Sequence, residues 1–267
     1  MKYISLTLTT EQGLFEYHIT LKTMKNIVIA AGYATRLGDL TKNFPKPLLS
    51  IGENTILGRM LDDIDPIEDI DEHIIITNHK FASIFQEWVS RQHYKKNVRI
   101  VDDGSETNES RLGAVRDLQM AIKECAINDD ILVVAADNLV FFSFRDFINF
   151  FKQKHTSCIM CHNQDSVEKL QRTGVVVLDE NDRVIEMEEK PRRPKSHWAV
   201  PPFYIYRNAD IPLIMNATNN GCGHDAPGNL ARYIINQAIV HAWKMNAGRF
   251  DIGSIDTYKE AIQRYGK

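Results

Sequence analysis

The sequence contains few cysteines and no large excess of charge of either sign. Four cysteines in 267 residues are too few for a disulfide scaffold. The net charge of -3 at pH 7 lacks the basic excess with which nucleic-acid-binding proteins usually displace counterions. No segment approaches the roughly 20 apolar residues that span a bilayer, and MKYISLTLTT does not resemble a secretory signal. We therefore expect a cytoplasmic protein that binds neither nucleic acid nor a membrane.

A metal-binding cysteine motif is also lacking, although one pair superficially suggests it. Cys158 and Cys161 form a CxxC flanked by His155 and His162, which offers four zinc ligands by count. However, TSCIMC has the pattern of a buried strand, where positions three apart point to opposite faces. The second CxxC of a zinc ribbon is missing as well. We therefore expect these cysteines to be structural.

What the sequence does contain is a regular alternation of short β-branched runs with amphipathic segments. KNIVIAA, EHIIIT, NVRIV and DILVVAA predict buried strands, and TILGRMLDDI, KFASIFQEWVSRQ and RLGAVRDLQMAIKECA predict helices between them. This order predicts an α/β fold with a doubly wound, mostly parallel sheet that is covered on both faces. GVVVLDENDRVIEMEEKP, with a turn at residues 181–182, predicts a small antiparallel excursion, and a proline-containing loop over residues 191–202 follows it.

Residues 1–23 have a pattern of their own. Apolar and polar residues alternate on both sides of TTEQG, which predicts a β-hairpin. We expect this N-terminal extension to precede a single large domain over residues 24–267. Alternatively, Met24 is a natural start and the preceding residues are dispensable.

The segment VIAAGYATRLGDLTKNFPKPLL leaves the first strand of this domain through a turn of small residues. Such a turn allows close approach of the backbone and can point its N–H groups at phosphate oxygens. Arg36 and Lys46 could then neutralise phosphate charge, although an ordinary tight turn with solvated cations has the same pattern. Only Gly32 and Gly38 stand where a dinucleotide fingerprint needs three glycines, and a Walker A Gly-Lys-Ser/Thr is absent.

Charged residues follow several other predicted strands. Asp137 and Asp251 each come at the end of an apolar strand, where two carboxylates beside bound phosphates would suit Mg²⁺. Each aspartate taken singly is more often a turn or helix-cap residue. In MEEKP, Lys190 could contact a phosphate and Glu189 could accept hydrogen bonds from sugar hydroxyls. Asp103 could contact a base, with a solvated loop carboxylate as the alternative.

The ordered set IAAGYATRL, FPKPLL, ADN, GVVVLDENDRVIEMEEKP and FDIGSIDTY resembles the signature of the sugar-1-phosphate nucleotidylyltransferases over residues 25–265. The resemblance implies a fold of nucleotide-diphospho-sugar transferase type. It also implies that an NTP (dTTP, UTP or CTP) and a sugar 1-phosphate give an NDP-sugar and pyrophosphate. A homo-oligomer is a further expectation from the family.

The resemblance also assigns roles to residues. It implies that Asp137 and Asp251 hold Mg²⁺, that Arg36 and Lys46 grip the triphosphate, and that Lys190 contacts the sugar phosphate. The candidates for substrate binding are Ala30, Ala31, Gly32, Thr35 and Gly113 toward the nucleotide, Asp103 at the base, and Gly174, Glu189 and Asp225 at the sugar. Asp225 could alternatively cap the helix that begins after it.

The sequence departs from the family pattern at several positions. Ala34 and Ala136 stand where glycine is usual, and a β-carbon at Ala34 restricts positive φ. Arg249 and Phe250 stand where a tryptophan often precedes the second aspartate. The loop DDGSETNESRLGAV is long and lies where the base is usually selected, so the base stays unassigned. Two alternatives are a cytidylyltransferase acting on a non-sugar acceptor such as phosphocholine, and a catalytically silent nucleotide-sugar-binding regulatory protein.

Overall fold

The structure is a computed structural model that describes residues 2–10, 13–21 and 23–266. The first two ranges are described as strands of the backbone, without their side chains. In chain order the strands are β1 (Lys2–Thr10), β2 (Gly13–Leu21), β3 (Met24–Ile29), β4 (Ser50–Ile51), β5 (Asn54–Thr55), β6 (Ile70–Thr77), β7 (Asn97–Asp102), β8 (Asp130–Ala135), β9 (Asn138–Val140), β10 (Ser157–Asn163), β11 (Gly174–Leu178), β12 (Val184–Glu189), β13 (Trp198–Val200), β14 (Phe203–Tyr206), β15 (Val240–Lys244) and β16 (Arg249–Asp251). The α-helices are α1 (Asp39–Lys42), α2 (Ile56–Ile64), α3 (His79–Ser90), α4 (Ala114–Glu124), α5 (Phe144–Lys154), α6 (Val167–Leu170), α7 (Ile211–Asn216), α8 (Pro227–Ile235) and α9 (Ile255–Tyr265).

A ten-stranded sheet forms the centre of the described chain. Its order is β12-β11-β13-β10-β14-β8-β3-β6-β7, with β15 alongside β10. Along the run β7-β6-β3-β8 each strand is parallel to the next, whereas β14 runs antiparallel to both β8 and β10. Helices separate the parallel strands along the chain, as the alternating sequence pattern indicates. The predicted α/β class with a mostly parallel sheet is confirmed.

The two faces of this sheet carry separate apolar clusters. On one face, Val28 and Leu132 share a cluster with apolar residues of α2, α3 and α5. On the other face, Ile27 and Val133 share a cluster with apolar residues of α4, α7 and α8. Because successive residues of a strand point to opposite faces, uninterrupted apolar runs such as ILVV fill both clusters.

The cysteines of the CxxC pair fall on opposite faces of β10. Cys158 belongs to the cluster with α5, and Cys161 belongs to the cluster with α4 and α8. Burial raises the pKa of each thiol to about 12, so neither is a thiolate at neutral pH. Within residues 23–266, no group of three or more His, Cys, Asp or Glu side chains could hold a metal ion together.

The antiparallel excursion is formed by β11, β12 and β13. Strand β11 pairs antiparallel with β12 on one side and with β13 on the other. Strand β13 lies inside the segment 191–202 that the sequence predicts as a loop. Three residues are too short for a periodic signal, and their pairing with β11 depends on contacts that are distant in sequence.

At the N-terminus, β1 and β2 form a two-stranded antiparallel sheet with Lys2 opposite Leu21 and Thr10 opposite Gly13. The turn residues 11 and 12 lie outside the described residues. The division into an extension over residues 1–23 and a domain over residues 24–267 stays a prediction. A search of the described helices finds none with the length and apolar character of a membrane span.

Candidate active site

The turn after β3 is held against the neighbouring strand by a buried amide. Ala30 and Ala31 are buried, while Gly32 is exposed at the carboxyl edge of the sheet. Asn78 is fully buried, and its Nδ2 donates to the Ala31 carbonyl at 3.0 Å. Its Oδ1 accepts the Phe81 N–H at 3.1 Å, which caps α3. Sequence analysis did not single out Asn78, although an asparagine between a strand and a helix is the signal that could have found it.

The turn then passes through a left-handed residue. Ala34 has φ 48° and ψ 38°, a conformation that costs a non-glycine residue roughly 1–2 kcal/mol. The Thr41 hydroxyl donates to the Ala34 carbonyl at 2.9 Å and helps to hold it. The following 3-10 turn, Thr35–Leu37, leaves Thr35 and Arg36 exposed. The chain therefore adopts the positive φ that the usual glycine would favour, despite the β-carbon.

Lys46 is almost buried and contacts one of the two predicted metal ligands. It begins the 3-10 turn Lys46–Leu48 between Pro45 and Pro47, whose rings restrict the backbone on both sides. Only 7% of Lys46 is exposed, and its Nζ donates to Asp137 Oδ2 at 3.2 Å. A buried ammonium needs such a partner, so the cation lies at the metal-ligand candidate rather than in solvent.

The two aspartates are brought together by a short strand pair. Strand β16 pairs antiparallel with β9, which places Asp251 opposite Asn138. The Ile252 N–H also donates to the Asp137 carbonyl at 3.2 Å. The pKa of Asp251 is raised, first because the surrounding protein desolvates the carboxyl and second because the negative charge of Asp137 is close.

Arg36 approaches the same place from the turn. A β-carbon at Gly253 would lie 3.5 Å from Asp251 Oδ2 and 3.9 Å from an Arg36 guanidinium nitrogen. The positive charges of Lys46, Arg249 and Arg36 lower the pKa of Asp251 and so oppose the two causes that raise it. The structure therefore brings Arg36, Lys46, Asp137 and Asp251 to one side of the sheet edge.

A relay of hydrogen bonds orients Asp137. Arg249 donates from its guanidinium to Asn138 Oδ1, and Asn138 Nδ2 donates to Asp137 Oδ1 at 2.6 Å. Since arginine has no acceptor, it fixes which end of the Asn138 amide faces Asp137. Asp137 Oδ1 is thus occupied, and Oδ2 faces Lys46. Sequence analysis noted Arg249 only as a departure from the family pattern and did not identify Asn138.

The donor chemistry of this pair fits a hard divalent cation. Asp137 and Asp251 offer carboxylate oxygens from two segments distant in sequence, and 42% of the Asp137 side chain is exposed. Mg²⁺ usually takes one or two protein carboxylates, and its other ligands are phosphate oxygens and water. Both residues could therefore hold such an ion together with a bound phosphate.

The predicted base contact, Asp103, is buried. Its N–H donates to the Thr77 carbonyl at 2.9 Å, and its Oδ1 accepts the Ser105 N–H at 2.6 Å. Burial raises the pKa of Asp103. The Ser105 carbonyl accepts the Tyr33 hydroxyl at 2.8 Å, which connects the loop after β7 to the turn after β3. The alternative that Asp103 is a solvated loop carboxylate is wrong.

Gly113 and Asp225 lie beside each other at the far end of this loop. Gly113 is buried with φ 88°, and a β-carbon there would lie 2.6 Å from the His224 carbonyl oxygen. Gly113 therefore needs to be glycine for both reasons. Asp225 is exposed and pairs with Arg111 at 3.1 Å. Its side chain does not cap α8, whose N-cap residue is Ala226.

On the side of the antiparallel excursion, Glu189 is the central residue. Gly174 lies opposite Glu189 in the pairing of β11 with β12. A β-carbon at Gly228, in the first turn of α8, would lie 2.0 Å from Glu189 Oε2. Burial raises the pKa of Glu189, and nearby Lys190 lowers it. Lys190 is exposed with φ 51°, and its Nζ lies 4.0 Å from Glu189 Oε1. Sequence analysis missed Gly228 because its contact with Glu189 joins the start of α8 to a strand that is distant in the sequence.

Comparison with known proteins defines the class. Residues 25–267 match the model of the family described as nucleotidyl transferase, so the chain belongs to this family.

Two individual relatives and one solved structure illustrate this likeness. The chain is similar to a glucose-1-phosphate thymidylyltransferase of Neisseria meningitidis, with 29% identity over 70% of this chain and 63% of the relative. It is also similar to the UTP–glucose-1-phosphate uridylyltransferase AglF of Haloferax volcanii, with 24% identity over 90% of this chain and 96% of the relative. The crystal structure of UDP-glucose pyrophosphorylase complexed with UDP-glucose has the same fold, with a TM-score of 0.77, 18% identity, and coverage of 91% of this chain and 98% of that chain. The chain spans 51% to 63% of the length of three of its curated relatives.

Proposed function

We propose that the protein transfers a nucleotidyl group from an NTP to a sugar 1-phosphate and releases pyrophosphate. The observation that carries this proposal is the meeting of Arg36, Lys46, Asp137 and Asp251 beside the small-residue turn after β3. The names of the thymidylyl- and uridylyltransferase relatives support glucose 1-phosphate or a similar sugar as the acceptor. UTP, dTTP and CTP are the nucleotides we expect.

In this reaction an oxygen of the sugar phosphate attacks the α-phosphorus in line, and pyrophosphate leaves. No protein nucleophile is needed, so the protein contributes positioning and charge neutralisation. Arg36 and Lys46 neutralise the triphosphate and stabilise the departing pyrophosphate. Lys46 is suited to this because its ammonium is held at 3.2 Å from Asp137.

Asp137 and Asp251 would hold Mg²⁺. When bound, the ion offsets negative charge on phosphate oxygens, which lowers the cost of bringing two anions together. The Arg249–Asn138 relay holds Asp137 Oδ1 and Lys46 holds Oδ2, so the carboxylate is kept in a fixed orientation.

At the acceptor, Lys190 contacts the phosphate and Glu189 accepts hydrogen bonds from sugar hydroxyls. Gly174 and Gly228 leave the space in which the Glu189 carboxyl lies. The exposed position of Lys190 beside Glu189 supports this arrangement.

The test is pyrophosphate release with each of UTP, dTTP, CTP, ATP and GTP against a panel of sugar 1-phosphates, with phosphocholine as a non-sugar acceptor. We expect turnover with a sugar 1-phosphate and dependence on a divalent cation. Turnover with phosphocholine alone would favour the cytidylyltransferase alternative. Nucleotide-sugar binding without turnover on any pair would favour the regulatory alternative and refute the proposal.

A further inference from the structure

The loop after β7, residues 103–113, is fastened at both ends to parts of the chain that are distant in sequence. At its beginning, the Ser105 carbonyl accepts the Tyr33 hydroxyl at 2.8 Å and the His79 N–H at 2.9 Å. These contacts hold the loop to the turn after β3 and to the start of α3. At its end, the loop meets residues 224–225, which precede α8. It therefore spans from the nucleotide side of the proposed site to the segment that leads into α8.

Main-chain contacts join the end of this loop to the segment before α8. The Ala114 N–H donates to the Asp225 carbonyl at 3.3 Å, and the Val115 N–H donates to the His224 carbonyl at 3.0 Å. These N–H groups lie in the first turn of α4 and have no acceptor within the helix. A β-carbon at Gly113 would lie 3.0 Å from the Asp225 α-carbon, so the two backbones are already in close contact. The two segments therefore meet in one defined arrangement.

An ion pair adds to this contact. Arg111 donates from Nε and Nη2 to Asp225 Oδ1, at 3.2 and 3.1 Å. Its Nη1 donates to the Asn108 carbonyl at 2.8 Å. Asn108 lies in a turn that the Ser110 N–H closes by donating to the Thr107 carbonyl at 3.2 Å. One guanidinium thus connects the middle of the loop to Asp225, which the compact ammonium of a lysine could not do with the same three donors.

We propose that Arg111 and Asp225 are positioning residues that hold the loop after β7 in place for the nucleotide. The proposal rests on the proposed function, which puts the NTP beside the turn after β3 to which this loop is bound. A loop that is already ordered does not lose conformational entropy when the ligand binds, so its affinity for the ligand is higher. Asp225 thereby has a role other than the sugar contact that the family resemblance implies.

The expected size of the effect follows from the exposure of the pair. The Arg111 side chain is 41% exposed and the Asp225 side chain 65%, and such pairs contribute little to stability. Loss of the pair should therefore leave the fold intact and raise the KM for NTP about two- to fivefold, with a smaller change in kcat. Because salt screens exposed charges, this difference from the wild-type protein should shrink at about 1 M salt.

The experiment is a double-mutant cycle of Arg111→Gln, Asp225→Asn and the double variant. Each single variant should raise the KM for NTP by a similar factor, and the double variant should raise it no further, since both changes remove the same contact. The KM for the sugar phosphate should stay unchanged in all three variants. Arg111→Lys, which keeps the charge, should have an intermediate effect.

Arg264→Gln is the matched control. Arg264 is an exposed arginine that pairs with Glu260 at 2.7 Å within α9. Removing this pair should leave both KM values as they are.

Hydrogen exchange of the unliganded protein tests the pair without any turnover. Peptides that cover residues 104–115 should exchange faster in Arg111→Gln and in Asp225→Asn than in the wild-type protein, because the loop opens more often. Arg264→Gln should exchange there like the wild-type protein.

A rise in the KM for the sugar phosphate alone in Asp225→Asn would overturn the proposal and return Asp225 to the sugar. Additive effects of the two substitutions on the KM for NTP would also overturn it, as would unchanged exchange in both single variants. If the wild-type protein turns over no NTP, the proposed function fails, while the exchange rates still show whether the pair holds the loop.

Discussion

Replacing Gly228 by alanine should separate the stability of the protein from its use of the sugar phosphate. The new β-carbon would lie 2.0 Å from Glu189 Oε2, far inside contact distance. The atom it meets is the end of a flexible side chain, so we expect the Glu189 carboxyl to move rather than helix α8. Glycine to alanine in a helix interior stabilises by up to about 1 kcal/mol, and by less in the first turn.

The expected effects are therefore of different size. The stability change is at most about 1 kcal/mol, which corresponds to a few degrees in Tm. Losing a hydrogen bond between a carboxylate and a sugar hydroxyl costs about 1.5–3 kcal/mol, or roughly 10- to 100-fold in kcat/KM for the sugar phosphate. The KM for NTP should be unchanged, because the three atoms nearest the new β-carbon belong to Glu189, which the proposed function places at the sugar.

Gly58→Ala is the matched control. Gly58 is also a buried helical glycine, and its β-carbon would lie 2.0 Å from a side-chain oxygen, that of Asn54. It should change Tm by a similar amount and leave both KM values as they are. Normal use of the sugar phosphate by Gly228→Ala would remove Glu189 from the sugar site. An equal loss toward NTP and sugar phosphate would show a general distortion instead.

Substitutions at three further positions test the rest of the site. Asp137→Asn should reduce pyrophosphate release at saturating Mg²⁺ by about 10²–10³-fold or more with an unchanged circular dichroism spectrum, and near-normal activity would contradict its role. Lys190→Ala should raise the KM for the sugar phosphate about tenfold or more with little effect on NTP; an unchanged KM for the sugar phosphate would exclude the contact. Arg249→Met should weaken Mn²⁺ binding, measured by calorimetry, by about 10- to 100-fold, while Arg249→Lys, which still donates, should lose less. Equal affinities in all three proteins would mean that the relay does not orient Asp137.

The parallel core of the fold could be predicted from the sequence because its signals are local. Runs such as IVI in β3 and ILVV in β8 are apolar without alternation, which is what burial on both faces requires. The same argument predicts where functional groups gather, because the carboxyl ends of parallel strands meet at one edge. Asp137, two residues after the end of β8, was predicted in this way.

The supporting contacts could not be predicted because they depend on pairings between distant segments. Strands β9 and β16 have three residues each, too few for a periodic pattern, yet their pairing brings Asp251 to Asp137 and Arg249 to Asn138. The contact of Gly228 with Glu189 similarly joins the start of α8 to the end of β12.

The closeness of two negative charges, on Asp137 and Asp251, explains why cations from several elements surround them. The negative charge of Asp137 helps to raise the pKa of Asp251, after the desolvation of the Asp251 carboxyl. Lys46 lies in the proline-flanked 3-10 turn, Arg36 in the 3-10 turn before it, and Arg249 in β16. The positive charge of each lowers the pKa of Asp251. Because these cations lie on separate elements, they can offset the negative charge of the carboxylates from different directions. The proposed function assigns these two carboxylates to a divalent ion beside the substrate phosphates, and the three cations would offset the negative charge that gathers there.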